Sequence, residues 1–255
     1  MSFVDLSTGL RLHYVEYGDT EKPVVIVLHG MLGTAQVHMQ QIMDWLQDDY
    51  QVLGPTLRGY GESEPELRQY PHNFYQQDAQ DVLAFMDALH VERAHVIGYS
   101  DGGEVALLLG GMAPERFRSI VTIGAVGYYG PAMRPVAQRM FPADWITEAE
   151  CALHGIENRD AFVLPWIRSV VAMIDSGGDL SLSLAPNMTA PLLMLLGEQD
   201  TLNPREYGQH FIDHTPNGRL VMFPCGHGVH EQRWQDFKQV VGEFLSAIED
   251  APVQS

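Results

Sequence analysis

Three residues of this 255-residue chain have the types and settings for nucleophilic catalysis: Ser100, Asp200 and His227. A serine hydroxyl attacks well only when a base takes its proton. That base in turn needs a carboxylate to orient it and to balance the imidazolium charge. Ser100 sits in Gly98-Tyr99-Ser100-Asp101-Gly102, after the apolar end of His95–Ile97 and before the small, apolar run Glu104–Leu109. This reads as strand, sharp turn, helix. Glycines at 98 and 102 suit a turn with room for little more than hydrogen on either side of the serine. Such a turn lifts the hydroxyl above the sheet edge and points the free N–H groups of the helix start at whatever binds there. The chemistry would be acyl transfer. It also requires two N–H donors for the oxyanion of the tetrahedral intermediate. One is the Asp101 N–H, directly after the nucleophile. The other comes from His29-Gly30-Met31-Leu32-Gly33, with Met31 the first choice and Leu32 the second.

The acid and the base follow strands of their own. Leu192–Leu196 runs into Gly197-Glu198-Gln199-Asp200, and Leu220–Phe223 runs into Pro224-Cys225-Gly226-His227-Gly228. Catalytic groups gather beyond the C-terminal ends of parallel strands. The order Ser100, Asp200, His227 is that of the α/β-hydrolase triad. Competitors for these roles are Glu198, Asp175, Asp179 and His230, the last at the start of the final helix. His29 reads as a loop brace. His210 and His214 have i,i+4 spacing but no accompanying ligand framework, so they read as a solvated helix face and no metal is called for. Asp101 needs a reason to stand beside a group that develops negative charge. Its carboxylate either holds a cation of the substrate, such as an α-ammonium group, or caps its own helix. The residues alone leave both readings open.

The elements that must position these groups alternate. Leu10–Tyr17 reads as an early antiparallel strand. Val24–Leu28, Gln51–Gly54, His95–Tyr99, Ser119–Ile123, Pro191–Leu196 and Leu220–Phe223 read as further strands, mostly buried and parallel. Helical patterns lie between them. One is capped by Thr34, with Val37, Ile42, Trp45 and Leu46 on one face; others cover Asn73–Leu89 and about Glu231–Ile248. This pattern predicts an α/β fold with a mostly parallel, twisted sheet and helices on both faces. Residues 131–186 break it with five prolines, four aromatic residues and short helical patches. They read as a helical cap inserted into a single domain spanning 1–255.

Composition sets outer bounds. The chain has 15 basic and 33 acidic residues, a formal net charge of −18. Such a surface repels phosphate backbones and anionic membranes, which argues against nucleic-acid or membrane partners. Met1–Leu12 has no apolar run of signal-peptide length, and no stretch is long enough to span a membrane. Cys151 and Cys225 have no zinc-like spacing and read as free thiols, so the expected location is cytoplasmic.

With these motifs in place, the chain resembles the α/β-hydrolase superfamily over essentially its whole length. Within it, the chain is similar to the biphenyl-hydrolase-like group, which includes the valacyclovirase-type α-amino-acid ester hydrolases. The matching pieces are Gly30-Met31-Leu32-Gly33, Arg58-Gly59-Tyr60-Gly61 with Ser63, Gly98-x-Ser100-Asp101-Gly102-Gly103, Gly197-Glu198-x-Asp200 and the Gly226-His227 loop. The resemblance implies an α/β-hydrolase fold with a helical cap. It implies a cofactor-free serine esterase acting on a small-molecule ester, and an Asp101 that recognises the substrate's amino group. Relatives often carry Asp where this chain has Thr56. Lactonases, carbon–carbon bond hydrolases, aminopeptidases and perhydrolases use the same triad, and a non-catalytic ligand-binding relative would share the fold.

Overall fold

The apolar runs become strands of one eight-stranded sheet in the order β1-β2-β4-β3-β5-β6-β7-β8. The computed structural model describes residues 2–65 and 67–250; Met1, Glu66 and 251–255 of the expected 1–255 span lie outside the described residues. The strands are β1 (Ser2–Asp5), β2 (Arg11–Tyr17), β3 (Val24–Leu28), β4 (Gln51–Pro55), β5 (Ala94–Tyr99), β6 (Phe117–Ile123), β7 (Leu192–Gly197) and β8 (Gly218–Phe223). β1 pairs antiparallel with β2, and β2 with β4; all other pairings are parallel. β1 is an addition to the strands expected from the sequence. It is mostly exposed, so its side chains carry no core pattern.

The helices are α1 (Ala35–His38), α2 (Gln40–Leu46), α3 (Phe74–Ala88), α4 (Asp101–Met112), α5 (Met133–Gln138), α6 (Glu148–His154), α7 (Arg159–Asp175), α8 (Arg205–Ile212), α9 (Val229–Gln232) and α10 (Trp234–Glu249). The period-two alternation of the strands divides the core into two layers. Val25, Val27, Ile97, Val121 and Leu193 pack with Ile42 and Met43 of α2 and Phe237 of α10. Ile26, Leu28, Val96, Ile120 and Met194 belong to the layer that holds Val82 and Phe85 of α3 and Val105 of α4.

Two helical expectations need correction. The Thr34 cap holds, since its side chain accepts from the Val37 N–H at 3.2 Å. The helix it starts ends at His38, however, and Val37 is 54% exposed rather than on the buried face. The final helix is two helices. Arg233, at φ −133°, separates them. That break lets Val229 and His230 bury near the site while α10 turns Phe237, Val241 and Leu245 to the sheet.

Residues 124–191, between β6 and β7, hold α5, α6, α7 and a 3-10 segment (Leu182–Asn187). α6 has strong local signals. Thr147 and Glu150 form a reciprocal capping box, and Gly155 ends the helix in the left-handed region at φ 65°. These signals fix where Glu150 and His154 stand. No helix among the described residues is long and apolar enough to cross a membrane.

Candidate active site

The chain lays β4 on one side of β3 and β5 on the other. Ligands of open α/β sheets collect at the C-terminal strand ends beside such a switch. Ser100 lies there, one residue past β5, at φ 54° and ψ −120°. A non-glycine residue in this region costs about 1–3 kcal/mol and persists only where its surroundings enforce it. The enforcement is visible. Ser100 N–H donates to Ile123 O at 2.8 Å. A Cβ on Gly98 would lie 2.1 Å from Gly102 O, and one on Gly102 would lie 2.4 Å from Leu28 O. Neither position admits a side chain.

The loops after β7 and β8 bring the acid and the base to this point. His227 Nδ1 is 2.7 Å from Asp200 Oδ2, and His227 Nε2 is 2.9 Å from Ser100 Oγ. A carboxylate only accepts, so Nδ1 carries the proton and Nε2 accepts from the serine hydroxyl. Asp200 is itself held. Its Oδ1 accepts from Leu202 N–H at 2.8 Å and Asn203 N–H at 3.3 Å. The Asn203 side-chain amide donates to its Oδ2 at 3.2 Å and to Gly124 O at 2.9 Å. Burial works against the Asp200 charge, but these hydrogen bonds and His227 outweigh it and hold the carboxyl below its ordinary range. Asn203, three residues after Asp200, is a functional residue for which the sequence carries only a faint signal, a side-chain amide soon after the acid.

The competing residues are engaged elsewhere. Asp175 pairs with Arg134, and Asp179 accepts from Ser183 N–H at 3.1 Å. His230 lies with Nε2 3.2 Å from His38 O. Glu198 is exposed.

The loop after β3 is braced as a unit. His29 Nδ1–H donates to Gly30 O at 2.8 Å, and its Nε2 accepts from Leu57 N–H at 2.9 Å. Burial lowers the His29 pKa to about 3, so the ring is neutral and keeps both roles. Gly30 O also accepts from Gly33 N–H at 3.2 Å. Gly30 N–H donates to His38 Nδ1 at 3.3 Å, with His38 likewise kept neutral by burial, its pKa near 4. The backbone N–H groups of Met31 and Asp101 have no acceptor among the described residues. Thr56 has its Oγ1 3.3 Å from His13 Nδ1. The neighbouring loop is braced by bidentate pairs of Arg58 with Asp81 and of Arg68 with Asp78.

Ser100, Asp101 and His227 open into a pocket of about 190 Å³, closed from the insertion by Met133, Met140, Trp145, Glu150 and Trp166. Its fixed charges are Asp101 and Glu150, and no lysine or arginine lines it among the described residues. Asp101 is 6% exposed. Its Oδ1 accepts from the Tyr75 hydroxyl at 2.7 Å, and that hydroxyl lies 3.1 Å from the Tyr129 hydroxyl. The carboxylate does not cap its helix; it meets Tyr75, and its Oδ2 is buried with no partner among the described residues. Burial raises the Asp101 pKa to about 6, against the Tyr75 hydrogen bond and the field of Arg68. Trp166 Nε1 is a second buried, unpartnered polar atom. Tyr75, Tyr129, Glu150 and Trp166 carry no sequence signal that separates them from ordinary core or surface residues.

Comparison with known proteins agrees with this architecture. Residues 23–158 match the family described as alpha/beta hydrolase fold. The serine hydrolase BPHL of Mus musculus is 28% identical over 93% of this chain and 84% of its own length. The 2-hydroxymuconate semialdehyde hydrolase of Pseudomonas sp. (strain CF600) is 24% identical over 97% of this chain and 95% of its own. The crystal structure of a hydrolase from Pseudomonas aeruginosa PA01 superposes with a TM-score of 0.76 at 25% identity, covering 96% of this chain and 97% of that one.

Proposed function

This chain belongs to the α/β-hydrolase family and is a serine hydrolase, and on that premise we propose that it cleaves small carboxylic esters through an acyl-enzyme, favouring esters with a free α-amino group. The observation that carries the reading is the row Asp200, His227, Ser100 opening into a pocket whose fixed charges are all negative. His227 Nε2 takes the hydroxyl proton as Ser100 Oγ attacks the ester carbonyl. The Met31 and Asp101 N–H groups hold the oxyanion, and each such donor is worth roughly 3 kcal/mol of barrier. The Asp200 carboxylate steadies the imidazolium. Collapse of the intermediate expels the alcohol with the proton from His227. Water then repeats the sequence on the acyl-enzyme and releases the acid.

Asp101 selects the amine. A buried carboxylate without a full set of partners is costly, and a substrate ammonium group in the adjoining pocket balances its charge. The indoles of Trp145 and Trp166 add π faces that favour a cation. The same pocket disfavours a carbon–carbon bond hydrolase acting on anionic substrates such as the dienoate named for a Burkholderia cepacia relative, because among the described residues no arginine or lysine lines it to meet a carboxylate. Two p-nitrophenyl esters test the proposal, a free-amine aminoacyl ester and its N-acetyl twin. Wild type should prefer the free amine, and Asp101→Asn should reduce that preference by about 30-fold or more, the effect of breaking a desolvated charge pair. Equal cleavage of both esters by both proteins would leave a general esterase with a structural Asp101.

A further inference from the structure

His154 lies near the middle of the insertion, yet it reaches the loop that carries Met31. It is the last residue of α6 and is 5% exposed. Its Nε2 lies 2.9 Å from Leu32 O, and its Nδ1 lies 3.0 Å from Gly61 N. The Gly61 amide can only donate, so Nδ1 accepts and Nε2–H donates to the Leu32 carbonyl. The ring stands edge-on to Tyr60, with centroids 5.2 Å apart, and Tyr60 packs in the same way on His29 at 5.4 Å. One imidazole from the insertion therefore ties together the two loops that frame the Met31 amide.

The Leu32 carbonyl is a critical place to hold. Leu32 is a buried, non-glycine residue at φ 59°, a conformation that relaxes unless its surroundings fix it. On the N-terminal side of Met31, the Gly30 carbonyl is fixed by His29 and Gly33, and the Gly30 amide by His38. On the C-terminal side, His154 supplies the hydrogen bond to the Leu32 carbonyl. The Gly30 carbonyl and the Met31 N–H share one peptide, and the Leu32 carbonyl and the Gly33 N–H share another; the Gly33 N–H to Gly30 O hydrogen bond couples the two, so holding the Leu32 carbonyl helps to hold the Met31 N–H.

We propose that His154 is a positioning residue for the oxyanion donor: seating of the insertion over the sheet and correct placement of the Met31 N–H are one event. The proposal rests on the reading of Met31 as an oxyanion donor given above. When the insertion is displaced, the Leu32 carbonyl loses its partner and the donor loses its alignment.

Two conservative variants separate the contacts of the ring. Asparagine places its amide near the Nδ1 position and glutamine near the Nε2 position. His154→Asn keeps the Gly61 contact and loses the Leu32 contact; His154→Gln does the reverse. The readouts are kcat and KM for a p-nitrophenyl ester, with the melting temperature of each variant. His154→Asn should lower kcat by about 10- to 100-fold, the scale of an oxyanion donor moved out of line, with KM changed less than about threefold. His154→Gln should recover most of kcat. Equal kcat for the two variants, or a loss confined to KM, would overturn the proposal. A kcat loss that tracks melting temperature across both variants would do so as well. Labelling of wild-type Ser100 by a fluorophosphonate keeps the two claims apart. An unlabelled Ser100 sinks the catalytic reading itself, whereas a labelled Ser100 with indifferent His154 variants sinks this inference alone.

Discussion

At Asp101, one residue serves two sites at once. In the proposed mechanism its backbone N–H holds the oxyanion, while its carboxylate meets Tyr75 with one oxygen and leaves the other without a partner among the described residues. With the pKa near 6 set by burial, the proposed amine selection should depend on pH. The ionised form attracts an ammonium group, and protonation removes that attraction. Selection is therefore complete well above pH 6 and fades as pH falls through about 6. The amine gains charge as pH falls, so its own titration works against the loss and does not produce it. The ratio of kcat/KM for the free-amine ester to that for its N-acetyl twin should fall between pH 7 and pH 5. Taking the ratio cancels groups common to both reactions, His227 included. A ratio flat with pH would separate the carboxylate from amine recognition.

At the scale of elements, α4 does more than present Ser100. Glu104, in its first turn, accepts from Val126 N–H and Gly127 N–H, both at 2.9 Å, and so ties α4 to the segment that leads to Tyr129. Burial raises its pKa to about 7 from an ordinary 4.5, against those two hydrogen bonds. The folded state thus holds this proton more tightly than the unfolded state does. Its contribution to stability is fully present below pH 4.5 and is lost as pH rises through about 7, an effect of about 3 kcal/mol. Glu104→Gln should flatten the decline of melting temperature between pH 5 and 8 relative to wild type. Parallel profiles for the two proteins would show that this buried group does not titrate in that window. Some elements could be read directly from the chain and some could not. The parallel strands are continuous apolar runs and stood out; β1, with exposed side chains, did not. The break at Arg233 was hidden because the apolar pattern of α10 continues smoothly back through α9.

At the scale of the molecule, Ser100, Asp200 and His227 were legible because each follows a strand end, and strand ends converge by topology. The pocket walls were not legible. Glu150 and Trp166 line the pocket, and His154 reaches the loops after β3 and β4, only through the packing of the insertion, and local spacing carries no trace of that packing. Asp101 lies between these cases: its place was clear from the turn, while its contact with Tyr75, 26 residues away, required the fold. The proposed acyl transfer requires Ser100 as the nucleophile, and hydrolysis of an activated ester by Ser100→Ala is the decisive measurement. With folding verified by its melting temperature, the variant should lose activity by roughly 10⁴-fold or more, since removing the nucleophile disables the triad as a unit. A variant that retains activity within about tenfold of wild type would contradict the account at its centre.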